Sequence, residues 1–210
     1  MKKKYRKNRK KVARFMRRLY LKGLTTTSGG NISLRVSDDI ILITPSATDK
    51  GEMRWKEIGI MTIPGENLTP ENKPSIESEM HLRIYRTNRD VKAIVHAHPV
   101  FASSFTAMDC KIDTSLTAEA RAICGEPVFV PYALMGSSGL AERAATCSAE
   151  ADIMLLENHG IITTGSSLLN AFDKIEVLEN AAKMTFITSV AGKSKRLSQK
   201  QLKEIDKLFR

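Results

Sequence analysis

The sequence predicts a layered α/β domain. Its 210 residues are enough for one substantial domain, and 42% hydrophobic with 27% charged residues is the composition of a chain with a buried core. Short apolar runs alternate with longer amphipathic runs, which is typical of strands alternating with helices. No repeat, low-complexity stretch or Pro/Gly/Ser-rich linker interrupts the chain. We therefore expect a basic N-terminal tail, residues 1–11, followed by one domain, residues 12–210.

Hydrophobic periodicity, glycines and prolines place the elements in order. In the first half they predict a helix over 9–22, strands over 32–36, 40–44 and 58–63, a helix over 75–88 and a strand over 91–98. In the second half they predict a helix from Pro99, a strand over 127–130, a helix over 138–150, strands over 153–158 and 160–165, and helices over 167–190 and 198–209.

The net charge of +10 is concentrated at the N-terminus. Residues 1–18 hold eleven Lys and Arg and no acid, so that 10 − 11 leaves −1 for residues 19–210. Such a segment could contact RNA, membrane phosphates or an acidic partner. A solvated extension of the first helix is favoured, since the tail offers only Tyr5 for stacking on bases. We expect at most non-specific contact with nucleic acid.

Membrane insertion and disulfide bonding are not expected. No apolar run approaches the roughly 20 residues of a membrane span, and no apolar signal-peptide region follows the basic start. The three cysteines, Cys110, Cys124 and Cys147, are odd in number and form no CxxC pattern. They are typical of buried thiols in a reducing cytosol, which predicts a cytoplasmic protein.

Three of the four histidines stand at the ends of predicted elements. His96 and His98 end a strand and project from the same face, with Cα atoms roughly 6.6 Å apart, and His159 lies between two strands. Three imidazoles suit Zn²⁺, which leaves a fourth position for a carboxylate, water or substrate. Glu77 is the nearest carboxylate candidate. From spacing alone, His96 and His98 could equally be hydrogen-bonded core residues, and His159 by itself would be structural.

Two loops have the composition of anion-binding turns. SGGN, residues 28–31, and TPSAT, residues 44–48, place small and hydroxyl-bearing residues at strand ends. Backbone amides in such loops can cradle a phosphate. Each loop is also typical of an ordinary turn.

In order, the segments SGGNISLRV, ILITPSATDKG, KPSIESEMHLRIY, AIVHAHPVFASSFT and LLENHGIITTG resemble those of the class II aldolase/adducin-head family. This family includes L-fuculose-1-phosphate aldolase and L-ribulose-5-phosphate 4-epimerase, and the resemblance covers residues 12–192. It implies a three-layer α/β/α sandwich around a central, largely antiparallel sheet. It also implies a homo-oligomer, usually a tetramer, with sites at subunit interfaces.

The resemblance implies a role for each matching residue. His96, His98 and His159 match the family's three zinc ligands. Glu77 matches the glutamate that ligates zinc at rest and acts as acid and base once substrate displaces it; the epimerases have aspartate here, so glutamate favours an aldolase. The positions matching the substrate-phosphate site are Gly30, Asn31, Ser46, Ala47 and Ser75.

The implied reaction is cleavage of a sugar phosphate. A ketose 1-phosphate, fuculose-phosphate-like or another deoxy-ketose phosphate, would break at its C3–C4 bond into dihydroxyacetone phosphate and an aldehyde. One Zn²⁺ per subunit would serve as Lewis acid and Glu77 would move the proton. A sugar-phosphate 4-epimerase or dehydratase on the same metal site is an alternative. A non-catalytic adducin-head-like binding module is another, although the complete ligand set argues against it.

The sequence departs from the family pattern near the predicted substrate. Ile76 stands where a second phosphate-binding serine is common, and the two tyrosines of the fuculose aldolases are absent. Glu119, in the segment of the first missing tyrosine, could deliver a proton to the leaving aldehyde oxygen, or could be a solvent-facing helix residue. In the long helix after the third histidine, Glu176 and Glu179 could orient a ligand, but a surface role is favoured for both.

Overall fold

A computed structural model describes residues 3–209, which form seven strands and seven helices. In the first half these are α1 (Arg6–Leu21), β1 (Asn31–Arg35), β2 (Ile40–Ile43), β3 (Gly59–Thr62), α2 (Ser78–Thr87), β4 (Ala93–Ala97) and α3 (Val100–Phe105). In the second half they are α4 (Ala118–Cys124), β5 (Val128–Val130), α5 (Ser138–Cys147), β6 (Ile153–Leu156), β7 (Gly160–Gly165), α6 (Leu168–Ala191) and α7 (Gln199–Phe209).

The seven strands form one sheet in the order β3-β2-β1-β4-β7-β6-β5. Every neighbouring pair is antiparallel except β5 and β6, which confirms the largely antiparallel sheet. β4 lies at the centre between β1 and β7, and Asn31 of β1 is directly opposite His96. This pairing brings the glycine turn before β1 next to the histidine end of β4.

Helices cover both faces of the sheet, as expected for a three-layer α/β/α sandwich. Strand residues alternate between the faces: Val95 packs in the core shared with α1, α3, α4 and α6, whereas Ile94 packs in the core shared with α2 and α5. His96, two residues beyond Ile94, therefore points to the face that carries α2. This is the face that Glu77 approaches from the start of α2.

The N-terminal basic segment is partly built into the fold. α1 begins at Arg6, three residues before the expected start, and Tyr5 is buried. Arg9 is only 2% exposed, and its guanidinium donates to the carbonyl oxygens of Ile58 at 3.0 Å and Lys56 at 2.8 Å. Residues 6–11 thus belong to the first helix; a separate role for residues 1–11, such as contact with nucleic acid, stays a prediction.

Replacing Arg9 by methionine is expected to lower the free energy of unfolding by about 1–3 kcal/mol, since two carbonyl oxygens that now accept from it would lose their donor. Lys10→Met is the matched control, because Lys10 is exposed one residue further along the helix and surface changes usually stay within about 0.5 kcal/mol. Urea unfolding of both variants measures the difference. Equal stability would mean that the Arg9 contacts contribute nothing.

Two smaller expectations need correction. The helix α4 was not predicted, because seven residues are too few to show a helical period, although Thr117 caps it by accepting from the Ala120 amide. Only Cys124 is a buried thiol; Cys147 is half-buried and Cys110 is exposed. Within residues 3–209, no helix is both long and apolar enough to cross a membrane.

Candidate metal centre and active site

Three histidines meet at the centre of the sheet. β7 pairs with β4 so that Ile161 lies opposite Ala97, and this places the β6–β7 turn, with His159, beside the end of β4. Asn158 adopts a left-handed conformation (φ 53°) in that turn, which asparagine tolerates better than most residues. One ring nitrogen from each of His96, His98 and His159 lies within 4.8 Å of the others.

Glu77 brings a carboxylate to the same point. It immediately precedes α2 and is 6% exposed. Its Oε2 lies 3.3 Å from His96 Nε2, and its Oε1 lies 3.3 Å from His159 Nε2. The Asn31 side-chain amide donates to Oε2 at 2.7 Å, so the carboxylate is held in place from β1.

These donors fit a divalent cation. Ligands on a tetrahedron with metal–ligand bonds of about 2.1 Å are about 3.4 Å apart. The separations observed here are similar: 3.1 Å between Nε2 of His98 and Nε2 of His96, and 3.3 Å from each Glu77 carboxylate oxygen to the nearest imidazole Nε2. Glu77 Oε1 is buried without a hydrogen-bond donor in residues 3–209. Such an atom is costly unless a partner is supplied, and a cation supplies one.

Backbone contacts orient two of the imidazoles. His96 Nδ1 donates to the Ile161 carbonyl oxygen at 2.9 Å, which leaves Nε2 with its lone pair toward the site. The His98 ring lies against Gly160: a Cβ added there would be 2.4 Å from His98 Cδ2 and 2.8 Å from the Ala97 oxygen. Glycine after His159 is therefore required by the position of His98.

Gly160→Ala is expected to weaken metal binding by about 10–100-fold, the range seen when the support of a ligand is disturbed, because the new methyl would displace the His98 ring. Competition against a chromogenic chelator measures the affinity. Gly139→Ala is the matched control, since a Cβ at Gly139 would approach only Ser137 Oγ, at 3.8 Å. Unchanged affinity in Gly160→Ala would show that His98 does not depend on this glycine.

Burial keeps His96 and His98 neutral. Burial, aided by His159, lowers the pKa of His96 to about 3, and burial with the neighbouring His96 and His159 lowers the pKa of His98 to about 3. His81 on α2, hydrogen-bonded to Ser33 Oγ at 2.6 Å, is lowered to about 3 by burial and by His96. At neutral pH His96 and His98 therefore present lone pairs, which a cation needs.

The metal-free protein is expected to lose stability as the pH falls from 6.5 toward 3. The folded-state pKa values lie below the unfolded value of about 6.5, so the unfolded chain binds protons that the native state does not. Each buried histidine adds a slope of up to about 1.4 kcal/mol per pH unit. His81→Asn should reduce the slope by that amount in urea unfolding between pH 6 and pH 4.5; an unchanged slope would contradict neutral burial of His81.

The metal centre opens into a cavity of about 360 Å³. All five positions matched to the phosphate site line it: Gly30, Asn31, Ser46, Ala47 and Ser75. Gly30 has a positive φ of 66°, and a Cβ there would be 2.8 Å from the His96 carbonyl oxygen. The turn can therefore reach the metal side only with glycine at this position.

Some polar groups that line the cavity already form hydrogen bonds within the protein. The Ser46 amide donates to the Lys73 oxygen, and the Asn31 side chain holds Glu77, a role that its place in a glycine turn did not reveal. The Ser75 hydroxyl oxygen accepts from the Glu77 amide at 3.3 Å, but its proton can still be donated to a ligand, as can those of the Ser46 hydroxyl and the Ala47 amide. Ile76 is 55% exposed at the mouth of the cavity, and its hydrocarbon side chain supplies no hydrogen-bond donor there.

Glu119 lies apart from the metal centre. It is exposed in the first turn of α4, and α4 packs in the core on the other face of the sheet from His96. It does not line the cavity. A role of Glu119 in proton transfer stays a prediction. The position of Glu119 in the single chain does not support that role.

Glu179 has a structural role that the sequence did not indicate. The surface role favoured for it is wrong: it is 5% exposed, and its carboxylate accepts from the amides of Phe101 at 3.2 Å and Ala102 at 2.8 Å. It thus holds the start of α3, close after His98. Glu176 is partly exposed and pairs with Lys22 at 2.8 Å.

Comparison with known proteins places this arrangement in a family. Residues 10–186 match the sequence profile described as Class II Aldolase and Adducin N-terminal domain. An L-fuculose phosphate aldolase of Methanococcus maripaludis is 36% identical over 83% of this chain and 93% of its own length. A 3-oxo-tetronate 4-phosphate decarboxylase of Haemophilus influenzae is 32% identical over 90% and 91%.

Two further matches extend over nearly the whole chain. A 5-deoxy-D-ribulose 1-phosphate aldolase of Bacillus thuringiensis is 29% identical over 97% of this chain and 95% of its own. The solved structure of an L-fuculose 1-phosphate aldolase superposes with a TM-score of 0.88 at 30% identity, over 96% of this chain and 95% of that one. The fold is therefore shared with a protein named as a sugar-phosphate aldolase.

Proposed function

Since the chain belongs to the class II aldolase and adducin N-terminal domain family, we propose that it is a zinc-dependent lyase that cleaves a ketose 1-phosphate to dihydroxyacetone phosphate and an aldehyde. One observation carries the proposal. His96, His98, His159 and the buried carboxylate of Glu77 converge on a cavity whose other wall is built from the loops 28–31 and 45–47. A non-catalytic binding module would have no use for this set of donors.

His96, His98 and His159 would hold the ion, with Glu77 as a further ligand at rest. When bound, the ion supplies a Lewis acid that stabilises negative charge developing on the substrate carbonyl oxygen. Three neutral imidazoles add no negative charge, so the ion keeps its full attraction for that oxygen.

Glu77 is placed to transfer the proton. When the C3–C4 bond of the substrate breaks, its electron pair moves toward the carbonyl group, and C3 must then gain a proton. The Glu77 carboxyl faces the cavity and is held by the Asn31 amide at 2.7 Å, so it can carry a proton to C3 without leaving the site. The C4 hydroxyl gives up its own proton to solvent as the aldehyde forms, which balances the proton that the Glu77 carboxyl delivers to C3.

The phosphate would bind at the far wall of the cavity. The Ser46 hydroxyl and the Ala47 amide, in the loop after β2, and the Ser75 hydroxyl, in the segment before α2, are hydrogen-bond donors on the cavity, which is the chemistry that phosphate sites use. Binding the phosphate there orients the ketose so that its carbonyl group reaches the metal side.

A decarboxylase is the second candidate, because the Haemophilus influenzae relative that carries that name is 32% identical. Decarboxylation also leaves an electron pair beside a carbonyl group and a carbon that needs a proton, so the same residues would serve it. An epimerase or a dehydratase would release neither an aldehyde nor carbon dioxide.

Product analysis tests the proposal. The metal-loaded protein is incubated with L-fuculose 1-phosphate, 5-deoxy-D-ribulose 1-phosphate and 3-oxo-tetronate 4-phosphate in parallel. Dihydroxyacetone phosphate from either 1-phosphate is the expected result, detected by coupled reduction with glycerol-3-phosphate dehydrogenase. Carbon dioxide from the third substrate alone would establish the decarboxylase instead, and an isomer or a dehydrated product would overturn both.

The homotetramer implied by the family pattern also stays a proposal. It is supported by apolar side chains that α6 leaves exposed near its end: Phe186, Ile187 and Val190. Such a cluster is typical of a surface that another chain covers. Sedimentation velocity gives the test, with a mass near four times 23.3 kDa expected and a monomer as the contrary result.

A further inference from the structure

Lys50 is a buried cation beside the proposed phosphate loop. It follows β2 by seven residues, lines the same cavity as Ser46 and Ala47, and is only 1% exposed. Lysine is almost never fully buried unless it is paired. Its position in an irregular loop gives no periodicity from which this burial could have been predicted.

The ammonium group of Lys50 is bound by neutral oxygens. Nζ donates to the Pro45 carbonyl oxygen at 2.8 Å and to Thr48 Oγ1 at 3.4 Å. Among residues 3–209, no carboxylate forms an ion pair with it within 4.0 Å. Burial lowers the pKa of Lys50 to about 8, although the negative charge of the more distant Glu57 raises it slightly. The ammonium group is therefore charged in most molecules at pH 7.

The two Lys50 hydrogen bonds also hold the loop in shape. They tie both ends of residues 45–48 to one atom, and between them Ala47 adopts a positive φ of 49°, a conformation that costs alanine about 1–2 kcal/mol. The Lys50 amide itself donates to the Thr27 oxygen at 2.9 Å, which links this loop to the glycine turn 28–31. The cation thus lies where both anion-binding loops meet.

We propose that Lys50 is the counter-charge of the substrate's phosphate and the positioning residue of the loop that binds it. A buried ammonium without an anion is costly, and a phosphate at Ser46 and Ala47 would supply the missing charge in a site of low dielectric constant, where the attraction is strong. The proposal rests on the proposed function for the substrate class, since it names the residue that selects a phosphorylated substrate.

Inorganic phosphate is the probe that tests this role apart from turnover. Calorimetry on the metal-loaded protein gives its dissociation constant in the wild type, Lys50→Met and Lys50→Arg. We expect Lys50→Met to weaken phosphate binding at least tenfold and Lys50→Arg to recover most of the loss. Lys73→Met is the matched control, because Lys73 is exposed and its carbonyl oxygen contacts Ser46; a change below threefold is expected.

A second probe distinguishes the loss of the Lys50 charge from a collapse of the loop 45–48. Acetohydroxamic acid, a metal chelator without a phosphate group, should bind the wild type and Lys50→Met equally. Phosphate binding by Lys50→Met within twofold of the wild type would overturn the proposal, as would an equal loss for acetohydroxamic acid, or no binding of phosphate by the wild type. If Lys50 governs phosphate binding but no substrate is cleaved, the inference stands and the proposed lyase activity fails.

Discussion

Replacing His98 by alanine is expected to reduce bound metal from about one ion per chain to background, and to remove lyase activity with it. His98 Nε2 lies 3.1 Å from His96 Nε2 at the centre of the donor set, and its truncation leaves a site of two imidazoles and one carboxylate. Elemental mass spectrometry of the purified, untagged protein after equilibration with zinc measures the loss.

His81→Asn is the matched control for this measurement. His81 is the one other histidine of the chain and is fully buried, but it is hydrogen-bonded to Ser33 and lies outside the three-histidine cluster. We expect His81→Asn to retain its metal, since an asparagine side chain can keep the bond to Ser33. If both variants lose the metal, the loss reflects unfolding of the region; if His98→Ala retains it, His98 is not a ligand.

Glu77→Gln is expected to lower kcat by about 10²–10⁴-fold, the usual contribution of a positioned acid or base. The amide keeps the shape of the side chain and an oxygen that can accept from the Asn31 amide, but it carries no transferable proton. Metal content should stay near that of the wild type because the three imidazoles remain. Steady-state kinetics at saturating zinc separates this effect from metal loss.

Glu79→Gln controls for the removal of a carboxylate from the same helix. Glu79 lies on the exposed side of α2 and pairs with Arg86 at 2.8 Å, so its loss should change kcat by less than twofold. A Glu77→Gln enzyme with wild-type kcat would remove Glu77 from the reaction and assign it to metal binding alone.

The strands and long helices of this fold follow from local patterns, whereas the order of the strands does not. Alternating Ile32 and Leu34 predict a half-buried strand, and the structure places β1 there. That β1 lies between β2 and β4, and that β5 is parallel to β6, depends on contacts between distant residues. The first helix began earlier than expected because burial of Arg9 extends it into the basic segment.

The three-histidine cluster was predictable because histidine is rare in this chain and three of four stand at element ends. The supporting residues were not. Asn31 acts through one hydrogen bond to Glu77, and Glu179 acts through two hydrogen bonds to the start of α3; in both cases the partners are far away in sequence. Lys50 is buried in a loop, where a lysine is expected to be solvated. Such roles depend on which residues the fold brings together.

A metal held by the three histidines should be required to make and break a carbon–carbon bond next to a phosphorylated carbonyl compound. The most direct measurement is the consumption of dihydroxyacetone phosphate in the presence of short aldehydes, by protein stripped with a chelator and by the same protein after zinc is restored. We predict an aldol product only with the restored protein, and none with restored His98→Ala. Equal product from the stripped and the restored wild type would contradict the account.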